Sequence, residues 1–203
     1  MKKIGVVDKV RAQIPEEVAA LLADPPILRG ESPEQYLAQL VAIAQAIGAK
    51  DVIHWLWASD VAYHTWELHR CQKIKLQLIL HHQTQIVEEL LSSTFDPVES
   101  SLEPLYVIFE AKNEARRWAT DSEFAKKIDE RLATRGHDSA SILAKAYTRC
   151  ASELHAIDKR ISDLELRRMG TLREVSYRDE IRAKQLERKS LEIIEGSFSE
   201  AAE

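Results

Sequence analysis

Apolar positions along this chain of 203 residues recur at intervals of three and four, the spacing that gathers side chains on one face of an α-helix. Tyr36, Leu40, Ile43 and Ile47 form one such face. Ser32-Pro33-Glu34-Gln35 supplies its start: Ser32 can cap, Pro33 suits the first helical position, and Gln35 can complete a capping box. Gly48 supplies its end. From about Lys50 to Ser92 the apolar residues include Val52, Ile53, Leu56, Trp57, Val61, Trp66, Ile74, Leu78, Ile79, Ile86, Leu90 and Leu91. They cover more than one narrow stripe, which predicts a long central helix touched on several sides, with room for a kink.

Before Ser32 the chain reads as a lead-in. A weak helix is predicted over Pro15 to Ala23, with Val18, Leu21 and Leu22 on one face. Asp24-Pro25-Pro26 stops it, because a residue before proline avoids the helical region. Ile27 and Leu28 are expected to tuck onto the core. Beyond the central helix, Phe95 to Glu103 reads as a loop and Leu105 to about Trp118 as a helix. A shorter helix follows, capped by Asp121 or Ser122, running through Arg135 with Phe124, Ile128 and Leu132 on one face and ended by Gly136.

From Asp138 the pattern tightens. Leu143, Tyr147, Cys150, Leu154, Ile157, Ile161 and Leu164 alternate at four and three residues, a heptad seam with charges between. It weakens at Arg167-Arg168-Met169-Gly170 and resumes loosely with Leu172, Val175, Ile181, Leu186 and Ile193. No turn cluster stands at Gly170, so the reading is a continuous or kinked helix to Glu195. The predicted class is all-α: an antiparallel helical bundle with a long C-terminal helix or coiled-coil arm. Its predicted parts are a lead-in at 1–31, a bundle domain at 32–136, the arm at 137–195 and a disordered tail at 196–203.

Composition agrees with long solvated helices. Apolar residues make up 45% and charged residues 30%, enough for a core and more charge than most globular chains carry. A net charge of −5 argues against a globally basic nucleic-acid binder, while leaving room for a local basic patch. No signal-length apolar run opens the chain and no window has the apolar length of a membrane span, so a cytoplasmic location without membrane association is expected. Cys71 and Cys150 stand far apart without a paired motif and read as free thiols in a reducing compartment, serving as small core residues.

Candidate chemistry concentrates in two stretches. Asp60, His64, Glu67 and Arg70 share one side of the central helix at four-three-three spacing, among Trp55, Trp57, Tyr63, Trp66, Lys73 and Lys75. Buried polar groups must be paired, so this set reads first as a polar network fixing helix register, and second as a candidate pocket or partner surface. The second stretch carries Arg167, Arg168, Arg173, Arg178 and Arg182, interrupted by Glu165, Glu174, Asp179 and Glu180. It reads as a solvated face with ordinary ion pairs, or as a contact for nucleic acid or an acidic partner.

The carboxylate-and-histidine motif of metal-holding bundles is missing, and His81-His82 point to different helix faces; no metal is expected. No glycine-rich phosphate loop, nucleophile elbow, Cys-x-x-Cys or Ser-His-Asp arrangement is present either, so no cofactor and no catalytic residues are assigned.

Three stretches together resemble a family of bacterial helical proteins with no established activity. They are Pro26-Ile27-Leu28-Arg29-Gly30-Glu31-Ser32 with Tyr36; Trp57, Asp60-Val61, Trp66-Glu67, Arg70, Lys73 and Lys75; and Arg167-Arg168 with Leu172-Arg173-Glu174-Val175 and Arg178. The resemblance spans about Asp24 to Phe198. The sequence departs from the pattern at Cys71-Gln72, where an apolar and a basic residue are expected, and at Gly196-Ser197, which replace an acidic pair. The resemblance implies a helical fold and supplies no substrate or cofactor.

The function expected from these readings is a non-enzymatic interaction or scaffold protein that self-associates, as a homo-oligomer or with a helical partner, through the Leu143–Leu164 seam. A nucleic-acid accessory role through the arginines, and a ligand-binding or catalytic bundle around Asp60, His64, Glu67 and Arg70, are the alternatives.

Overall fold

The computed structural model describes residues 11–22, 24–93 and 104–200. These form α1 (Glu16–Ala19), α2 (Pro33–Ala46), α3 (Val52–Ser93), α4 (Pro104–Thr120), α5 (Ser122–Ala133), α6 (Ser139–Arg149) and α7 (Ala151–Glu200). The fold is all-α, with no strand among the described residues. No helix among them is long and apolar enough to cross a membrane. The chain divides into two compact units, Met1–His69 with Ser162–Glu203, and Arg70–Ile161. The helices α3 and α7 each supply a stretch to both.

In the first unit, α2 begins as its sequence dictates. The Ser32 hydroxyl accepts the Gln35 N–H at 3.2 Å. The box is closed by Glu34 rather than by the Gln35 side chain: Ser32 Oγ donates to Glu34 Oε2 at 2.6 Å, which holds that carboxyl below its ordinary value. At the other end Gly48, at φ +64°, turns the chain, with Gly48 N–H bonded to Gln45 O and Ala49 N–H to Ala44 O. That paired pattern satisfies carbonyls a helix end otherwise leaves bare. The core joins Ile14, Val18, Leu37, Leu40, Val41 and Ala44 to Trp55, Ala58 and Ala62 of α3. The small residues Ala58 and Ala62 let α2 approach closely, and the Gln39 amide donates to the Ala62 carbonyl at 3.0 Å. Trp66 Nε1 donates to Glu31 Oε2 at 3.1 Å, and its ring meets Tyr36 edge-on, tying the 24–32 segment to α3.

In the second unit, Ile86, Val87 and Leu91 of α3 pack with Ala111 and Ala115 of α4, Ile128 and Leu132 of α5, and Ile142 and Ala146 of α6. A smaller cluster joins Ile79 to Cys150 and Leu154. The starts of α5 and α6 are capped: Asp121 Oδ1 accepts from Glu123 and Phe124 N–H, and Asp138 Oδ1 from Ser141 N–H. Gly136 turns the chain at φ +83° after α5. Ion pairs brace the outside, with Arg149 forked onto Glu89 and Lys75 Nζ 2.6 Å from Asp158 Oδ1.

The structure departs from the predicted elements in three places. The C-terminal helix is interrupted, and at Cys150 rather than Gly170: Cys150 leaves the helical region at φ −106°, ψ 23°, and separates α6 from α7. No glycine or proline marks that break. Gly170 sits inside an unbroken α7, since glycine can hold helical angles at an entropic cost. The helix also continues past Glu195 through Gly196 to Glu200. The loop predicted at Phe95 to Glu103 lies outside the described residues, as do Met1–Val10 and Ala201–Glu203.

Candidate functional site

The break at Cys150 resets the phase of the C-terminal stripe. Along α6 the buried positions are Ile142 and Ala146, while Leu143 and Tyr147, expected in the seam, are exposed at 40% and 45%. From Cys150 onward the expected residues do lie inward. Cys150, Leu154 and Leu164 are buried, and Ile157 and Ile161 half-buried. The buried row continues through Val175. Its cover comes from the same chain, since Cys150 and Leu154 share a cluster with Ile79. At Cys150 and Leu154 the seam is therefore covered within the chain, while Leu143 and Tyr147 are not.

The Asp60 set is not one pocket. Asp60 is exposed, His64 and Arg70 are half-buried, and Glu67 is buried. His64 Nδ1 is buried without a hydrogen-bond partner. Burial lowers the pKa of this imidazole, the nearby Arg167 guanidinium adds to the effect, and Asp60 opposes it. A group so shifted favours the neutral ring in the folded chain, so its contribution to stability is full above the unfolded histidine range and falls as pH drops through it. A neutral histidine without an adjacent nucleophile gives no acid–base constellation.

The arginines also part company. Arg178 Nη2 and Arg182 Nη1 reach Asp51 Oδ2 at 3.2 and 3.5 Å, and the Arg178 guanidinium lies 5.4 Å from the centre of Trp57. Arg168 is half-buried, whereas Arg167 and Arg173 are exposed. At about 100° per residue, Arg167 and Arg173 stand roughly 240° apart around α7. The five do not make a single row that could follow a phosphate backbone.

What the arginines join is a cluster that sequence reading missed. His54 is 1% exposed. Its Nδ1 is 2.9 Å from Asp51 Oδ1 and its Nε2 is 3.2 Å from Asp179 Oδ1. Burial alone would raise the Asp51 carboxyl, but the His54 N–H, the His54 ring and Arg178 outweigh it and hold it below its ordinary value. The Asp51–His54 spacing was visible, but Asp179 lies far away in sequence and nothing local announces it. This cluster holds α7 against the start of α3 in the first unit.

A cleft of about 1050 Å³ in the second unit is also absent from the sequence reading. His81, Thr84, Glu88, Glu89, Lys112 and Arg116 are among its lining. Charges of both signs share it, and Glu89 is already taken by Arg149. Among the described residues, no group of three or more His, Cys, Asp or Glu side chains is placed to hold a metal ion. Both cysteines are buried free thiols, the state expected of small core residues.

The remaining feature is the outer side of α7. Leu166 is 69% exposed, Tyr177 63% and Ile181 37%, on a helix whose opposite side buries Leu164 and Val175. Gly170 lies between them, and a Cβ built there meets nothing within 4 Å. Comparison with family models, curated proteins and solved structures gives no match.

Proposed function

We propose that the chain is a non-enzymatic helical interaction protein that self-associates through the outer side of α7. The observation that carries this reading is the row of exposed apolar side chains at Leu166, Tyr177 and Ile181, on a helix already anchored by its other side. The three stand within about 60° of one another around the helix, and apolar side chains gathered on one exposed side are a feature of protein contacts. Cys150 and Leu154 of the expected seam pack against Ile79 of the same chain, which favours the opposite side of α7 as the contact surface. The test is light scattering coupled to size exclusion over a micromolar concentration series of the full chain. A mass rising to two chains supports the reading, and a monomer throughout overturns it.

A further inference from the structure

We propose that the cleft between the C-terminal part of α3 and the middle of α4 binds a small zwitterion, a molecule carrying an ammonium and, apart from it, a carboxylate or phosphate.

The cleft lies within the second unit. Its volume of about 1050 Å³ is of the size of ligand clefts, roughly 300–1,000 Å³. Thr84, Glu88, Ser92 and Ser93 line it from α3, and Lys112 and Arg116 line it from α4. Thr84, Glu88 and Ser92 recur at four residues and so share one side of α3, as Lys112 and Arg116 share one side of α4. Ala111 and Ala115, each one position before a base, are fully buried in the cluster with Ile86, Val87 and Leu91 of α3. That packing fixes α4 and sets Lys112 and Arg116 at the edge of the contact.

The two helices offer opposite hydrogen-bonding chemistry. Thr84 Oγ1 donates to Leu80 O, Ser92 Oγ to Glu88 O and Ser93 Oγ to Leu90 O, each at 2.8 Å. Each hydroxyl has given its one proton to its own helix, so it has only lone pairs left for a ligand. Glu88 adds a carboxylate, which also accepts. From α4, the ammonium of Lys112 and the guanidinium of Arg116 donate and cannot accept.

These charges are not neutralised within the chain. The neighbouring Arg117 pairs with Asp121, and Glu89 with Arg149. Lys112, Arg116 and Glu88 have no ion pair among the described residues. A purely anionic ligand would meet the Glu88 carboxylate, and a purely cationic one would meet Lys112 and Arg116. A zwitterion places its ammonium against Glu88 and the α3 lone pairs, and its anionic group against the two bases. Both ends then make charge-assisted hydrogen bonds, the stronger kind.

The test is isothermal titration calorimetry on the full chain. The zwitterionic probes are the free amino acids and phosphoethanolamine; acetate, inorganic phosphate and ethylamine are the single-charge controls. At least one zwitterion is expected to bind with a dissociation constant of about 1 mM or tighter, and the controls roughly tenfold more weakly or not at all. A response to amino acids alone assigns a carboxylate to the anionic end, and a response to phosphoethanolamine alone assigns a phosphate. R116A and E88Q are each expected to weaken the zwitterion roughly tenfold or more, since each removes a charged partner. K127A, an exposed charge on α5 outside the cleft lining, is expected to leave binding unchanged. Far-ultraviolet circular dichroism checks that each variant keeps its helix. Absence of millimolar binding by every zwitterion, controls that bind as tightly, or a constant indifferent to R116A and E88Q overturns the proposal.

Discussion

His54 Nε2 stands 3.2 Å from Asp179 Oδ1, joining side chains 125 positions apart in the chain. The other ring nitrogen faces Asp51, and an ionised carboxylate can accept a proton bond but cannot donate one. The ring therefore bridges a carboxylate at the start of α3 to one on α7.

Removing that buried ring should hurt more than removing its exposed partner Asp179. His54→Ala is expected to lower unfolding free energy by about 2–4 kcal/mol, through the cavity and the loss of both bonds. Asp179→Asn, at a side chain 53% exposed, should cost about 1 kcal/mol or less. Urea midpoints at constant slope measure both. Equal midpoints for His54→Ala and the parent would mean that the ring holds nothing together.

The acid limb of stability should depend on Asp51. Its carboxyl sits below its ordinary value in the folded chain, so the unfolded chain binds the proton more readily. The resulting stabilisation is present above the unfolded aspartate value, about 3.9, and is lost as pH falls through the lower folded value. Asp51→Asn should be less stable than the parent at neutral pH, and the gap should narrow on acidification. Melting temperature against pH for both proteins measures this. A gap that is constant, or that widens toward acid, contradicts it.

The phase of the stripe on α6 can be read from adjacent residues. Ile142 is 1% exposed and Leu143 40%. Ile142→Ala should cost about 2–4 kcal/mol, whereas Leu143→Ala should stay within about 1 kcal/mol. Guanidinium unfolding of the two variants decides it. The reverse order would restore Leu143 to the core and return the seam to the register its spacing suggested.

That register shows where local pattern stops being informative. The helix starts at Ser32 and Asp121 were legible because a cap is a bond between a side chain and a backbone group two or three residues on; the same device at Asp138 was not read. Gly48 and Gly136 were legible because a positive φ has few suitable residues. The interruption at Cys150 has no such local signature. It also moves the inward face by one residue, so Ile142 and Ala146 replace Leu143 and Tyr147. The clamp at His54 was hidden for a related reason: its second carboxylate is supplied by α7, and only the folded chain brings Asp179 within reach.

Gly170 stands in the middle of α7 with open space beside it. Glycine inside a helix is about 0.5–1 kcal/mol less favourable than alanine, because it gives up more backbone freedom on folding. A Cβ at this position meets nothing within 4 Å in its own chain. Gly170→Ala is therefore expected to raise the urea midpoint by the amount this freedom is worth, about 0.5–1 kcal/mol. Equilibrium unfolding at constant slope measures it. An alanine variant with an unchanged or lower midpoint would mean that the position needs glycine for a reason other than space in its own chain.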